Sequence, residues 1–235
     1  MRTVEVCLTP ELIHQFNLEG KIVVVVDVFR ATSCMVSGIA TGVTAIYPVA
    51  TVEECLALGQ QGMTTAGERG GIKVEGFDIG NSPFEYMAAE LVGKKVSVST
   101  TNGTKTILAS LGASQILIGA FLNLSATAEY LKKANKDVII HCAGWQGTVN
   151  IEDTLYAGAL ADAISITHGI SGDPALLAHQ LFIANKTDLM PIAQASSHAQ
   201  RLSGFGAKED LVYCMEQSKY EIVVEYAEKA ITLLK

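Results

Sequence analysis

The feature that most limits what this chain can fold into is a repeated alternation. Short runs rich in Val and Ile are each followed by an Ala- or Leu-rich stretch of helical period. The run Ile22-Val-Val-Val-Val26 is apolar at every position, as a strand covered on both faces must be. Such alternation specifies an α/β fold, a three-layer α/β/α arrangement around a largely parallel or mixed sheet. Strands are expected at residues 3–8, 21–27, 45–49, 64–66, 95–99, 115–118 and 137–141. Helices are expected at 31–41, 52–60, 83–91, 104–111 and 124–134.

From about residue 151 the pattern becomes helix-rich, with helices expected at 151–168, 173–184 and 207–217. The stretch Ser203-Gly-Phe-Gly-Ala207 breaks the chain before the third of these. Residues 221–234 fit either state, although Ile222-Val-Val favours a strand at the start. No linker, repeat or low-complexity tract interrupts residues 1–235. One compact α/β unit is the expectation, with room for a helical subdomain from about residue 151.

Composition removes several classes of function. Hydrophobic residues make up 49% of the chain and mean hydropathy is +0.31, yet the excess is spread over short runs. Even Ile22–Val26 falls far short of the roughly 20 residues that a membrane span needs, so no membrane association is expected. The start, Met1-Arg-Thr-Val-Glu-Val6, carries no signal-peptide core, which points to the cytoplasm. A net charge of −7 without basic clusters argues against nucleic acid. The five cysteines form no CxxC pair, so they read as reduced core residues rather than a zinc or disulfide framework. So apolar a composition also leaves room for a homodimer interface.

Chemistry concentrates where apolar strands end, which in open α/β sheets is where ligands bind. Four such ends stand out. In Val26-Asp27-Val-Phe-Arg30-Ala-Thr32-Ser33, an Asp closes a buried strand just before a helix. A carboxylate beside four valines is costly unless something pairs with it. Asp27 is therefore a candidate nucleophile or metal ligand, with Arg30, Thr32 and Ser33 as candidate anion binders. Haloacid dehalogenase phosphatases also end a strand in Asp, but they need a second Asp where this chain has Phe29.

The second end is Ala66-Gly-Glu68-Arg69-Gly-Gly71, followed by Gly76-Phe-Asp78-Ile-Gly-Asn81-Ser-Pro83. Here Glu68 suits a metal, while Arg69 and Asn81 suit its anionic ligand. The third, Ser99-Thr-Thr101-Asn102-Gly103-Thr104, runs a strand through a hydroxyl-rich turn into a helix. Backbone N–H groups of such a turn can cradle a phosphate or sulfonate, although the Walker spacing is absent. The fourth leads from His141-Cys-Ala-Gly144-Trp145 to Glu152-Asp153. Adjacent carboxylates at a helix start suit Mg²⁺, and the helix dipole alone also favours acids there. His198 and His141 are weighed as acid–base groups against ordinary core roles. Asp210, in Ala-Lys-Glu-Asp, reads as a solvated helix start.

Taken together, these segments resemble the 2-phosphosulfolactate phosphatases. The resemblance rests on Asp27-Val-Phe-Arg-Ala-Thr-Ser33, Gly67-Glu-Arg-Gly-Gly71, Gly76-Phe-Asp-Ile-Gly-Asn-Ser-Pro83, Ser99-Thr-Thr-Asn-Gly-Thr104, Cys142-Ala-Gly144 and Glu152-Asp153. The pattern Ser197-His198…Leu202…Gly204…Asp210…Cys214 extends it over nearly the full chain. Such a resemblance implies an Mg²⁺-dependent phosphatase in coenzyme M biosynthesis, hydrolysing (R)-2-phospho-3-sulfolactate to 3-sulfolactate and phosphate. Residue roles come from the strand ends instead. Asp27 is the candidate catalytic group, and Asp27, Glu68, Glu152 and Asp153 are the candidate Mg²⁺ ligands. The candidate substrate binders are Arg30, Thr32, Ser33, Arg69, Asn81, Thr101, Asn102, Gly103 and Thr104. Rival readings are a phosphatase of another phosphorylated hydroxy acid and a non-hydrolytic anion or sugar-phosphate binder.

Overall fold

A computed structural model describes residues 2–234. It contains one mixed, mostly parallel sheet of eleven strands. In chain order these are β1 (Arg2–Cys7), β2 (Ile22–Val26), β3 (Ala45–Pro48), β4 (Thr64–Arg69), β5 (Ile72–Lys73), β6 (Lys95–Ser99), β7 (Gln115–Gly119), β8 (Val138–Cys142), β9 (His168–Ile170), β10 (Val224–Ala227) and β11 (Ala230–Leu233). The helices are α1 (Ala31–Ala40), α2 (Val52–Gly59), α3 (Pro83–Tyr86), α4 (Gly103–Ala109), α5 (Leu124–Ala134), α6 (Ile151–Ala163), α7 (Asp173–Asn185), α8 (Met190–Gln194), α9 (Ser197–Gly204) and α10 (Lys208–Cys214). No helix among the described residues is long and apolar enough to cross a membrane.

The strand order is β5-β4-β6-β3-β11-β10-β7-β2-β8-β1-β9. Two parallel blocks, β4-β6-β3 and β7-β2-β8-β1-β9, are joined by the antiparallel hairpin β10–β11. Counting polarity through the hairpin, the blocks run in opposite directions. Their C-terminal edges nevertheless meet, because Gly103 after β6 lies against Ala31 and Asp27 after β2. Helix α1 shares one apolar cluster with strands of both blocks, including Ile46 of β3, Val96 of β6 and Ile118 of β7.

Strand β2 shows why its sequence lacks alternation. Val24 and Val26 join the apolar cluster that includes Leu131 of α5, Leu155 and Leu160 of α6 and Ala178 of α7. Val23 and Val25 join the cluster on the other face, with Met35 of α1 and Ile107 of α4. Each valine is fully buried. Local signals set the helix ends. Thr51 and Glu54 form a capping box on α2, Asn150 caps α6 by accepting from the Asp153 N–H, and left-handed Asn135 ends α5.

The expected elements differ from the observed ones in identifiable places. The helix expected over 151–168 stops at Ala163, and His168–Ile170 becomes the edge strand β9, parallel to β1. Between them the sequence is Ile-Ser-Ile-Thr167, whose β-branched residues are poor helix formers. The helix expected over 83–91 breaks after Tyr86, with a separate 3₁₀ turn at Ala89–Leu91. That over 207–217 shortens to Lys208–Cys214. Strand β4 runs on to Arg69, so Glu68 and Arg69 lie in a strand rather than a turn. It then reverses through Gly70 (φ 64°) and Gly71 (φ 89°) into β5, the positive-φ pair a two-residue hairpin needs. Helices α8 and α9 are additions. The ambiguous tail forms the β10–β11 hairpin, paired Val224 with Leu233 through Ala227 with Ala230.

Candidate active site

The loops after β2, β4, β6 and β8 converge with α9 on a cleft of about 70 Å³. Asp27, Arg30, Glu68, Asn81, Thr101 and Asn102 line it, as do Trp145, His198 and Arg201. Six of the residues singled out from the sequence are therefore brought together.

Asp27 is 7% exposed. Its backbone is closed by Thr32, whose hydroxyl donates to the Asp27 carbonyl and accepts from the Asp27 N–H, both at 3.0 Å. Oδ1 accepts a long bond of 3.4 Å from the Ala31 N–H, and no donor among the described residues pairs with Oδ2. A side chain at Gly103 would put its Cβ 3.0 Å from Oδ2 and 2.6 Å from the Ala31 methyl. Glycine is thus what lets the start of α4 approach this carboxylate. Burial raises the Asp27 pKa to about 6; the His198 charge works against that rise, while Glu68 and Glu152 add to it.

Arg30 is also buried, and its Nη1 donates to the buried Asp210 Oδ2. Asp210 Oδ1 accepts from the Ser82 hydroxyl at 2.8 Å. The expectation that Asp210 is a solvated helix residue is overturned: it is 6% exposed and orients Arg30. Ser82 is the α3 N-cap with Glu85 as its box partner, which leaves Asn81 free of capping. The buried Asn81 Oδ1 has no partner and the residue lines the cleft.

Glu68 laces two loops together. Its Oε2 accepts from the Gly71 N–H at 2.6 Å and its Oε1 from the Thr101 N–H at 2.9 Å. Because side chains alternate along a strand, Arg69 points the other way. Its guanidinium is spent on the Glu68 and Ser99 carbonyls and the Ser99 hydroxyl, at 2.7–3.0 Å, and it does not line the cleft.

Several other expected ligands turn out to hold the scaffold. Ser33 donates to the Val28 carbonyl at 2.9 Å. Thr104 is 2% exposed and closes the α4 turn with Thr100. Gly103 packs behind Asp27 instead of lining the cleft. Asp153 is fully buried and accepts from the N–H groups of Val28 (2.8 Å) and Gly144 (3.1 Å) and from Asn150 Nδ2 (3.0 Å). It ties the loop after β2 to the loop after β8, although burial and the Asp27 and Glu152 charges push its pKa well up. Glu152 is fully buried under His198, with Oε1 2.6 Å from Nδ1. Both Asp153 oxygens are taken up by these donors, whereas Glu152 keeps Oε2 buried and without a partner, and neither residue lines the cleft. No group of three or more His, Cys, Asp or Glu among the described residues is arranged to hold a metal on its own.

The sequence reading gave too little weight to α9. His198 stacks on Trp145 with ring centroids 5.9 Å apart. The Arg201 guanidinium lies 4.7 Å from the centroid of that indole and donates from Nη1 to the Gly70 carbonyl at 2.7 Å. The other histidines have structural partners: His141 bonds Ser110 (2.8 Å) in the core and His168 bonds the Lys136 carbonyl (3.0 Å). All five cysteines are buried and free. Burial raises the Cys34 and Cys142 thiols well above their ordinary value, so neither is a nucleophile.

Comparison with known proteins assigns the chain to a family. Residues 7–229 match the family described as 2-phosphosulpholactate phosphatase. A protein of Caldanaerobacter subterraneus named a probable 2-phosphosulfolactate phosphatase is 36% identical over 216 residues, 90% of each chain. One of Thermotoga petrophila with the same name is 37% identical over 206 residues, 88% of this chain and 89% of its own. A third, of Carboxydothermus hydrogenoformans, is 37% identical over 225 residues, 94% of this chain and 92% of its own.

Proposed function

Because the chain belongs to the 2-phosphosulpholactate phosphatase family, a family of phosphoric monoester hydrolases, we propose that its cleft hydrolyses (R)-2-phospho-3-sulfolactate to 3-sulfolactate and phosphate. The observation that carries this reading is Asp27, a buried carboxylate with one oxygen unpartnered in a cleft it shares with Arg30 and Arg201. A buried, unpaired carboxylate costs stability, and catalysis is the return on that cost.

Phosphate, carboxylate and sulfonate bring several negative charges to one small site. Arg30 is oriented by Asp210 through Nη1 and by the Gly71 carbonyl through Nη2 at 3.4 Å, and its remaining N–H groups are suited to an oxyanion. Arg201 adds a second guanidinium to the lining, and the Asn81 amide contributes a polar contact without charge. Glu68 takes up the Thr101 N–H and so pins the turn that carries Asn102 to the cleft, which holds the polar groups of Asn102 in place before substrate arrives. Preorganised donors of this kind stabilise charge that develops in the transition state.

Asp27 and Glu68 are the carboxylates that line the cleft. Asp27 Oδ2 has no donor among the described residues, so Asp27 would be the first ligand of Mg²⁺, which takes one or two carboxylates and completes its shell with water and phosphate oxygens. Glu68, whose oxygens already accept from the Gly71 and Thr101 N–H groups, would add a remaining lone pair. When bound there, the ion would offset phosphate charge. Asp27 either attacks phosphorus through Oδ2 or positions the attacking water. Trapping a phosphoaspartate selects the first route.

The test is phosphate release from (R)-2-phospho-3-sulfolactate with Mg²⁺, then with excess EDTA, then with Mg²⁺ restored. Release that stops on chelation and returns with the ion supports the reading. No release from folded protein in any arm contradicts the substrate assignment, and binding without turnover would favour an anion-binding protein.

A further inference from the structure

We propose that His198 is the proton donor to the leaving oxygen of the ester, held in register for that task by Glu152. The inference rests on the reading of the cleft as a phosphomonoesterase site and adds a role that the strand-end loops do not supply.

Glu152 is 0% exposed, and its one polar contact is Oε1 with His198 Nδ1 at 2.6 Å; Oε2 is buried without a partner. Burying a carboxylate this way is costly, and the imidazole is what compensates it. The Nδ1 bond fixes the ring and its proton arrangement, which leaves Nε2 available. Nε2 has no hydrogen bond among the described residues. Two aromatic walls hold the ring, Trp145 stacked at an interplanar angle of 14° and Phe29 at 6.5 Å. His198 lines the same cleft as Asp27 and Arg30. The charged groups around it are Glu152 on α6, Asp27 after β2 and Arg201 farther along α9.

The chemistry needs such a group. The leaving group is the oxygen of a secondary alcohol, which departs poorly as an alkoxide. As the bond from phosphorus to the ester oxygen breaks, that oxygen keeps the electron pair and takes the proton from Nε2, forming the hydroxyl of sulfolactate. The water that adds to phosphorus, either directly or at a phosphoaspartate, releases its proton to solvent, and the neutral imidazole takes a proton back from solvent. Phosphate forms and His198 returns to its starting state. General acid–base groups of this type contribute about 10²–10⁴ in rate.

The test compares the oxygen ester with an analogue carrying sulfur in the bridging position, whose thiolate leaves without a proton. His198→Asn should lower kcat about 10²–10⁴-fold on the oxygen ester and by less than about tenfold on the sulfur ester. An equal loss on both, or no loss on the oxygen ester, overturns the proposal. Glu152→Gln keeps shape and removes charge, so the imidazolium loses support. The alkaline limb of the kcat profile for the oxygen ester should then move to lower pH, with KM within about threefold. An unmoved limb overturns the positioning role of Glu152, even if the sulfur ester is a poor substrate. Wild-type protein that hydrolyses neither ester refutes the phosphatase reading itself, an outcome distinct from loss of the His198 effect alone.

Discussion

Two hollows of the molecule differ in size and in chemistry. One, of about 940 Å³, opens where the C-terminal hairpin meets the ends of α2 and α4, and Tyr47, Leu58, Leu108, Leu111, Ile116 and Tyr226 line it. The other is the cleft of about 70 Å³ at the strand ends. The large groove has the volume and apolar lining of a ligand site, but its acids, such as Glu54 and Glu228, lie at the surface rather than in the core. The small cleft draws Asp27, Arg30, Glu68 and His198 below 9% exposure. Apolar surface in a groove costs little to keep, whereas each buried charge has to be compensated. Buried charge is therefore the better guide to chemistry here, and volume the poorer one.

That contrast can be broken at several points. The largest effect is expected from Asp210→Ala, which leaves the Arg30 guanidinium without its carboxylate. Breaking a buried pair from one side costs about 3–5 kcal/mol, to be read as a lower urea midpoint. A loss under about 1 kcal/mol would place the pair among surface contacts.

An opposite sign is expected from Asp27→Asn. The Asp27 carboxyl has its pKa raised from 3.8 to about 6, first by burial. The folded protein thus binds that proton better than the unfolded chain. Its contribution to stability is full below pH 3.8 and is lost as pH rises through about 6. The amide removes the cost of ionisation, so the variant should exceed the wild type at pH 8 by up to about 3 kcal/mol. The gain should vanish toward pH 4. A variant less stable than wild type at pH 8 would mean that Asp27 is a structural ion-pair partner. The smallest effect belongs to the large groove: Leu111→Ser, at a side chain 57% exposed, should leave kcat/KM within about twofold. A larger drop would move chemistry toward the groove.

Legibility in the sequence followed the range of the interactions. The junction Val26-Asp27…Arg30 was readable because a charge abutting a fully apolar run has one physical meaning. The fold class followed from periodicity. Arg69 misled because alternation along β4, which sends it away from Glu68, shows only once the strand is known to extend that far. The hydrogen bonds of Asp153 were not legible because acids at a helix start are common, and its N–H partners at Val28 and Gly144 come from other loops. His198, Arg201 and Asp210 lie far along the chain from Asp27, on short helices, so no local pattern placed them at the cleft. The opposed polarity of the two strand blocks was out of reach for the same reason, since the hairpin that reverses it is the last part of the chain.

The most direct test of the account is the initial rate of phosphate release by Asp27→Asn on (R)-2-phospho-3-sulfolactate, beside the wild type and with thermal unfolding as the control for fold. The account predicts a folded variant whose turnover falls by about 10³-fold or more. A folded variant with turnover near that of the wild type would contradict it and remove the buried carboxylate from the chemistry.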